Sequence, residues 1–332
     1  MTEPRRPWRP PTLADVAARA DVSKATASRV LAYAEGRSKN CPAAASSVLT
    51  AISDLGYLSG SADLPRLLVL VTDVSRTGYW ATLSGVLAAC QELGVGLAAH
   101  VLSHDTAHRR RALLTALEDR VDGVVVVEFD SLSVSILSEL PADLPLAVAG
   151  GVPDPETDGL PRAWINDRAG ARTAVRHLIE LGHRRIAYVG VPPAGHPDPR
   201  VIGWRETLVA EGLHVVEPLA TGWSVKTGLR AAARACAVGA SAVLCGNDDL
   251  AMGLIAGLTA AGVRVPQDVS VIGMDDHPHA VAANPALTTV RMDFVGLGEC
   301  ATRLALGDLD GPLIEVPTEL VVRQSTAPPP AP

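Results

Sequence analysis

Along this chain the apolar positions change their spacing. Between residues 12 and 55 they recur every three or four residues, as helices require: Leu13, Val16, Ala17 and Ala20, then Ala27, Val30 and Leu31, then Val48, Ala51, Ile52 and Leu55. From residue 66 onward, short unbroken apolar runs replace them. These are LLVLVTD (67–73), VGLAAHVL (95–102), GVVVVEF (123–129), LPLAVAG (144–150), RIAYVG (185–190), SAVLCG (241–246) and VSVIGMD (269–275). Amphipathic stretches between them predict helices over 80–93, 106–119, 167–181, 201–211, 224–236 and 248–261. Strands apolar on both faces suit a parallel sheet covered by helices on each side. The alternation breaks near 151–165, which predicts two similar α/β lobes, and a helix over 294–306 with strands around 314–322 closes the pattern.

The first segment has its own punctuation. Residues 1–11, rich in Pro and Arg, read as a flexible arm. Thr12, with Asp15 three residues on, has the spacing of a capping box. The pattern then breaks at Ala20-Asp21-Val22, and Ser23 is placed to cap a second short helix, Lys24 to Leu31. Pro42 suits the opening of a third, since its missing N–H costs nothing there, and Gly56 ends it. Residues 12–58 are therefore an all-helical head, SGSADLP (59–65) a short linker, 66–326 a core, and 327–332 a disordered Pro-rich tail.

Charge separates the head from the rest. Residues 1–58 carry eight Lys/Arg against five Asp/Glu, whereas the remaining 274 residues carry 21 against 31. A basic head on an acidic body points to a polyanion-binding module joined to something with no need of one. Five cysteines (Cys41, Cys90, Cys236, Cys245, Cys300), scattered and without Cys-x-x-Cys, argue for a reducing compartment and against a disulfide frame or a cysteine-ligated metal. The start of the chain has no apolar run resembling a signal peptide, and no stretch has the length of a membrane span. The expected place is the cytoplasm, in association with the nucleoid, with no membrane partner.

The most specific local signal is TLADVAARADVSKATASRVL, residues 12–31. Two short helices three residues apart, with small Ala17 and Ala20 where they must approach, suit a helix-turn-helix. Thr12, Ser23 and Thr26 suit phosphate contacts at helix starts, Lys24 and Ala25 occupy the turn that would meet base edges, and Ser28 and Arg29 share the outward face. Enzyme chemistry has no comparable foothold. The turn after 67–73 lacks a Gly-rich phosphate loop, and no Walker, metalloprotease or nucleophile-elbow sequence is present. His104 and His108, spaced i, i+4, decorate a helix start. No enzyme and no cofactor is predicted.

The chain resembles the lactose-repressor (galactose/purine-repressor) family of bacterial transcriptional regulators over roughly residues 12–326. The matching stretches include ADVAARADVSKATASRVL (14–31), DRAGARTAVRHLIELGHRRIAYVG (167–190), CGNDDLAMGLIAGLTAAGVRVPQDVSVIGMDD (245–276) and VPTELVVRQST (316–326). The resemblance implies a repressor controlled by a small polar effector, a sugar or sugar derivative. It implies a homodimer, or a tetramer, whose heads read palindromic double-stranded operator DNA. It also implies a two-lobe periplasmic-binding-protein-like core joined by three strand crossings. Lobe one would then comprise about 66–162 and 293–316, and lobe two about 163–290 and 317–326.

For the effector the resemblance singles out Arg200, Trp223 and Phe294, with Tyr79 and Trp80 where the family carries an aromatic segment. Asp73, Asn247, Asp248 and Asp275 lie at the C-terminal ends of strands, where open α/β sheets bind ligands. Two departures stand out. Only ten positions separate Tyr57 from Leu67, too few for the family's hinge helix, with Leu58 and Leu64 the leucines available as a minor-groove wedge. The third helix also lacks basic residues at its start. These departures motivate an alternative, a soluble solute-binding or sensory protein with a degenerate head.

Overall fold

The computed structural model describes residues 12–34, 36–55, 57, 65–118, 121–153 and 159–330. The arm 1–11 and nearly all of the linker, including Leu58 and Leu64, lie outside the described residues, as does Gly56. The chain divides into two compact units, 1–64 and 65–332.

The first unit contains α1 (Leu13–Arg19), α2 (Lys24–Ala34) and α3 (Ala45–Leu55). Thr12 caps α1 in a reciprocal box with Asp15, and Asp21 takes a left-handed conformation (φ 54°) in the turn. Val16, Ala17, Ala27, Val30, Ala45, Val48 and Ala51 form a small core of short side chains that lets three helices pack closely. Two boundaries differ from expectation. Helix α2 runs on to Ala34, and α3 starts three residues after Pro42, whose carbonyl accepts from the Ala45 amide in a turn preceding the helix.

The second unit has two lobes. Lobe one is built on β1 (Arg66–Val71), α4 (Thr77–Leu93), β2 (Gly96–Val101), α5 (Thr106–Glu118), β3 (Gly123–Glu128), α6 (Ser131–Leu137), β4 (Leu146–Gly150) and β5 (Arg162–Ile165). Lobe two follows with α7 (Asp167–Glu180), β6 (Ile186–Val189), α8 (Pro199–Ala210), α9 (Val225–Ala237), β7 (Ala242–Cys245), α10 (Asp248–Ala260), β8 (Ser270–Asp275) and β9 (Thr288–Met292). The chain then returns to lobe one with α11 (Phe294–Ala305) and β10 (Leu313–Val316), and ends in lobe two with β11 (Thr318–Val321).

One sheet has the order β10-β5-β4-β3-β1-β2 and is parallel throughout; the other has the order β11-β9-β8-β7-β6, with only β11 antiparallel. The central strands are apolar on both faces because helices cover both: β1, β3 and β7 are buried along almost their whole length.

The chain passes between sheets three times, at Asn166, Asp293 and Pro317. Asn166 caps α7 and Asp293 caps α11, so two crossings double as helix starts. Lobe one's first segment was expected to close at 162, but it runs on to Ile165, because Arg162–Ile165 pairs with β4 and β10 in the first sheet. Strands β5 and β9 and helix α6 were not expected. Both strands, RAWI and TTVRM, are short and broken by Arg or Thr, so neither shows the unbroken apolar run of β6 or β7, and α6 is only seven residues, too short to show a period.

The tail also differs from expectation. The Ala327 carbonyl accepts from His183 Nε2 and Ser270 Oγ, and the Ala327 amide donates back to Ser270 Oγ. Ala327, the first residue of the tail, is thus tied to lobe two by polar partners that its composition does not reveal; 331–332 lie outside the described residues.

Candidate functional site

In the first unit, the surface at the start of α2 is polar and outward-facing. Ser23, Lys24, Ala25, Ser28 and Arg29 are exposed, Thr26 is half-buried and Thr12 is exposed at the start of α1. Ser23 Oγ lies 2.9 Å from Thr26 Oγ1, and Arg29 Nη2 donates to Thr26 Oγ1 at 3.2 Å. This network orders the first turn and a half of the helix and leaves the Lys24 ammonium outside it. Inward-facing Ala27 and Val30 fix the rotation of α2, so all of these groups stay on one face.

In the second unit, a cavity opens between the lobes at the C-terminal ends of both parallel sheets, where strand-end loops converge. Six of the nine expected effector residues line it: Tyr79, Arg200, Trp223, Asn247, Asp275 and Phe294. The lobe-two wall is ionic. Arg200, near the start of α8, donates from Nε to Asp167 Oδ1 and from Nη1 to the Gly246 carbonyl, both at 2.6 Å. Asp198 accepts from the Tyr188 hydroxyl at 2.7 Å and from the Arg200 amide at 3.0 Å. Burial works against the Arg200 cation, but Asp167, Asp275 and Asp198 hold its pKa above the ordinary value.

Asp275 ends β8 with φ 123°, a conformation aspartate rarely adopts, and Asp276 follows at φ 56°. Burial drives the Asp275 carboxyl well above the usual carboxylate range despite Arg200 nearby. Strained backbone and a displaced titration thus coincide at a residue of the cavity wall. Asn247 caps α10, accepting from the Leu250 amide, and its Nδ2 donates to the Trp223 carbonyl at 3.2 Å, fixing the loop that carries the indole.

The lobe-one wall is aromatic. Tyr79 and Phe129 meet edge-to-face at 5.1 Å, and Phe129 and Phe294 at 5.6 Å. The Tyr79 hydroxyl is committed to Asp130 Oδ2 at 2.8 Å, which leaves the cavity only its ring. At the floor, Arg162 Nη1 donates to Glu128 Oε2 and to the Gly150 carbonyl. Both side chains are almost completely buried, and Gly151 must be glycine there: a Cβ would fall 2.2 Å from Glu128 Oε1.

Three expected residues stand elsewhere. Asp73 turns to Arg76 and Ser75. Trp80, next to Tyr79 in α4, is on the outward side of the helix and half exposed. Asp248 is completely buried behind the cavity, accepting from Thr289 Oγ1 and the His277 amide, each at 2.6 Å. Burial pushes its carboxyl up to about 7. Its neighbour Asp249 lines the cavity instead, because one residue of helix rotates the side chain by about 100°.

Sequence reasoning missed Arg76, Phe129, Asp167, Asp198 and Asp249, all of which line the cavity. The strand-end rule applies equally to Phe129, after β3, and could have found it; nothing in the sequence pointed to Arg76. Among the described residues no cluster of His, Cys, Asp and Glu could hold a metal, and no helix is long and apolar enough to cross a membrane.

Comparison with known proteins defines the class. Residues 175–326 match the family described as periplasmic binding protein-like domain. The HTH-type transcriptional regulator MalR of Streptomyces coelicolor is 33% identical, over 95% of this chain and 96% of its own length. The regulator CelR of Thermobifida fusca is 31% identical, over 96% and 98%. A solved complex of transcriptional regulator CelR with cellobiose superposes with a TM-score of 0.67 at 28% identity, covering 95% of this chain and 99% of that one. The chain belongs to the LacI/GalR family of helix-turn-helix transcriptional regulators. It is a sequence-specific DNA-binding regulator, not an enzyme, of a family typically controlled by a small-molecule effector, often a sugar.

Proposed function

We propose that the chain is a repressor whose hold on operator DNA is controlled by a carbohydrate enclosed between its lobes. The observation that carries this reading is the opposition of two walls: Arg200, Asp275, Asp249 and Asn247 on one side, the Tyr79–Phe129–Phe294 cluster on the other. A sugar ring has hydroxyls around its rim and apolar C–H groups on its faces. Carboxylates and an amide satisfy the rim, and aromatic rings pack against a face. The solved relative that holds cellobiose supports the class of ligand.

At the head, Lys24 and Ala25 read base edges in the major groove. Thr12, Ser23, Thr26, Ser28 and Arg29 hold the backbone of the DNA, as a helix-turn-helix demands. Two heads in a homodimer read the halves of a palindrome. In this reading the head is 12–58, the linker 59–65 and the regulatory core 66–326.

The test is a gel shift against the chain's own upstream DNA across a salt series, followed by calorimetry with mono- and disaccharides, polyols and nucleosides. A tight, salt-sensitive shift on the upstream site that persists at salt concentrations where binding to random DNA is lost is expected, and release by one carbohydrate. Equal affinity for random and upstream DNA would overturn the regulator's operator reading. Heat only from nucleosides would overturn the carbohydrate.

A further inference from the structure

One side chain on the cavity wall is explained neither by the core nor by the carboxylate and aromatic walls. Arg76 stands at the N-cap of α4, a place where Ser, Thr, Asp or Asn would satisfy the helix's first amides, and makes no side-chain cap. Its guanidinium instead reaches across the cleft. Its Cζ lies 4.5 Å from the centroid of the Trp223 ring, which is packed against the core of lobe two. From below, Asp73 Oδ2 holds Arg76 Nε at 2.9 Å, and Ser75 holds Asp73 through its amide and hydroxyl, both at 2.7 Å. The arginine is thus braced on lobe one and stacked on lobe two. Its Nη1 is buried with no hydrogen-bond partner, on a residue that lines the cavity. Asp73, which does not line the cavity, acquires a purpose as the brace.

The lobe-one wall is otherwise poor in donors. The Tyr79 hydroxyl serves Asp130, and Arg162 serves Glu128 and Gly150. Lobe two is rich in carboxylate acceptors, and Arg200 spends two of its nitrogens on Asp167 and Gly246. A ligand with ring or hydroxyl oxygens facing lobe one meets Arg76 as the cation there with an N–H to spare. A cation over an indole gains most when water is excluded, which is the condition a closed cleft creates.

We propose that Arg76 is a cross-cleft latch and a specificity-determining contact. Stacked on Trp223 it holds the lobes together, and its buried Nη1 donates to an acceptor oxygen of the enclosed effector. The latch stands on geometry alone; the donor half rests on the carbohydrate reading above.

The test compares full-length wild type, Arg76→Ala and Arg76→Lys, each checked for an unchanged thermal transition. Trp223→Phe provides the subtraction that isolates Trp223 fluorescence. Without ligand, acrylamide quenching of the Trp223 component should rise about twofold or more in Arg76→Ala, with Arg76→Lys between, because a lysine keeps the charge but not the flat stack. Equal quenching in wild type and Arg76→Ala would overturn the latch. Calorimetry then follows cellobiose, maltose, glucose and galactose. The sugar that binds wild type should lose at least tenfold in affinity in Arg76→Ala, less in Arg76→Lys. Unchanged affinity in Arg76→Ala would overturn the donor half. Binding of none of the four sugars to wild type would overturn the donor half together with a simple-sugar effector, and quenching would still decide the latch.

Discussion

The two lobes are built alike and chemically opposed. Each is a parallel sheet between helices, and each joins a pair of helices at glycines. In lobe one, a Cβ on Gly298 of α11 would fall 2.1 Å from the Thr82 carbonyl of α4; in lobe two, a Cβ on Gly253 of α10 would fall 2.0 Å from the Val225 carbonyl of α9. Yet apart from Arg76 and Glu128 on one side and Trp223 on the other, lobe one turns rings toward the cleft and lobe two turns charges.

The same contrast appears in the aspartates that open a helix in each lobe, Asp130 half-buried and Asp248 completely buried. Asp130, capping α6, is surrounded by donors: the Ser133 amide and the Thr72 and Tyr79 hydroxyls. Burial pushes its carboxyl up, but those donors outweigh it and leave it below the ordinary value. Asp248, at the start of α10, has a hydroxyl and one amide, and burial wins. Equal architecture therefore says little about a site; how deeply each carboxylate is buried, set against the donors and charges that face it, decides its chemistry.

The largest expected effect breaks the ionic wall. Arg200→Ala should lower effector affinity about 30- to 150-fold, the equivalent of losing one charge-assisted hydrogen bond worth about 2–3 kcal/mol. Operator binding without effector should be nearly unchanged, as gel shift and calorimetry on the same preparation would establish. An unaltered affinity would mean that lobe two does not read the ligand.

The likeness between lobes can be tested next. Gly298→Ala and Gly253→Ala should each destabilise the core by about 1–3 kcal/mol, since the helices must move apart to admit a methyl group against a backbone carbonyl. Thermal unfolding should register comparable losses; a tolerant position would identify the helix pair that is free to shift.

The aspartate pair should then respond to pH in opposite directions. Asp248 is raised in the folded chain, so between about pH 4 and 7 the unfolded chain has released a proton that the folded chain still holds, and stability falls as pH rises. Asp248→Asn should therefore gain on wild type through that window and level off above it. Asp130 is lowered, so its stabilisation is present above the ordinary carboxylate pKa and lost as pH falls through the folded value. Asp130→Asn should lose ground as pH rises. Melting temperatures from pH 3.5 to 8 would reveal parallel curves if the two environments were equivalent.

The smallest effect belongs to the aromatic wall. Phe129→Leu preserves apolar volume but removes the ring between Tyr79 and Phe294. A loss of about 2- to 10-fold in effector affinity is expected, from a ring contact worth about 0.5–1.5 kcal/mol. A larger loss than that of Arg200→Ala would reverse the ranking of the walls.

Local pattern in the sequence was sufficient wherever the physics is local. The capping box at Thr12 and Asp15, the helix-turn-helix face of α2, and strands such as GVVVVE depend on neighbours within a few residues, and periodicity reports them directly. The resemblance extended that to the two-lobe core and to Arg200, Trp223 and Phe294, and the strand-end rule reached Asn247 and Asp275. Tertiary structure alone decided the rest. Strand β5 is only four residues long, and its place between β4 and β10 comes from register across more than a hundred residues of chain. Whether Asp248 or Asp249 meets the cavity depends on how α10 is rotated against β8 and β9, through the bond from Thr289. Arg76 and Trp223 are separated by almost half the chain and carry no shared pattern. Their contact exists only because two sheets close on each other, and a pairing of that kind leaves no period for a sequence to display.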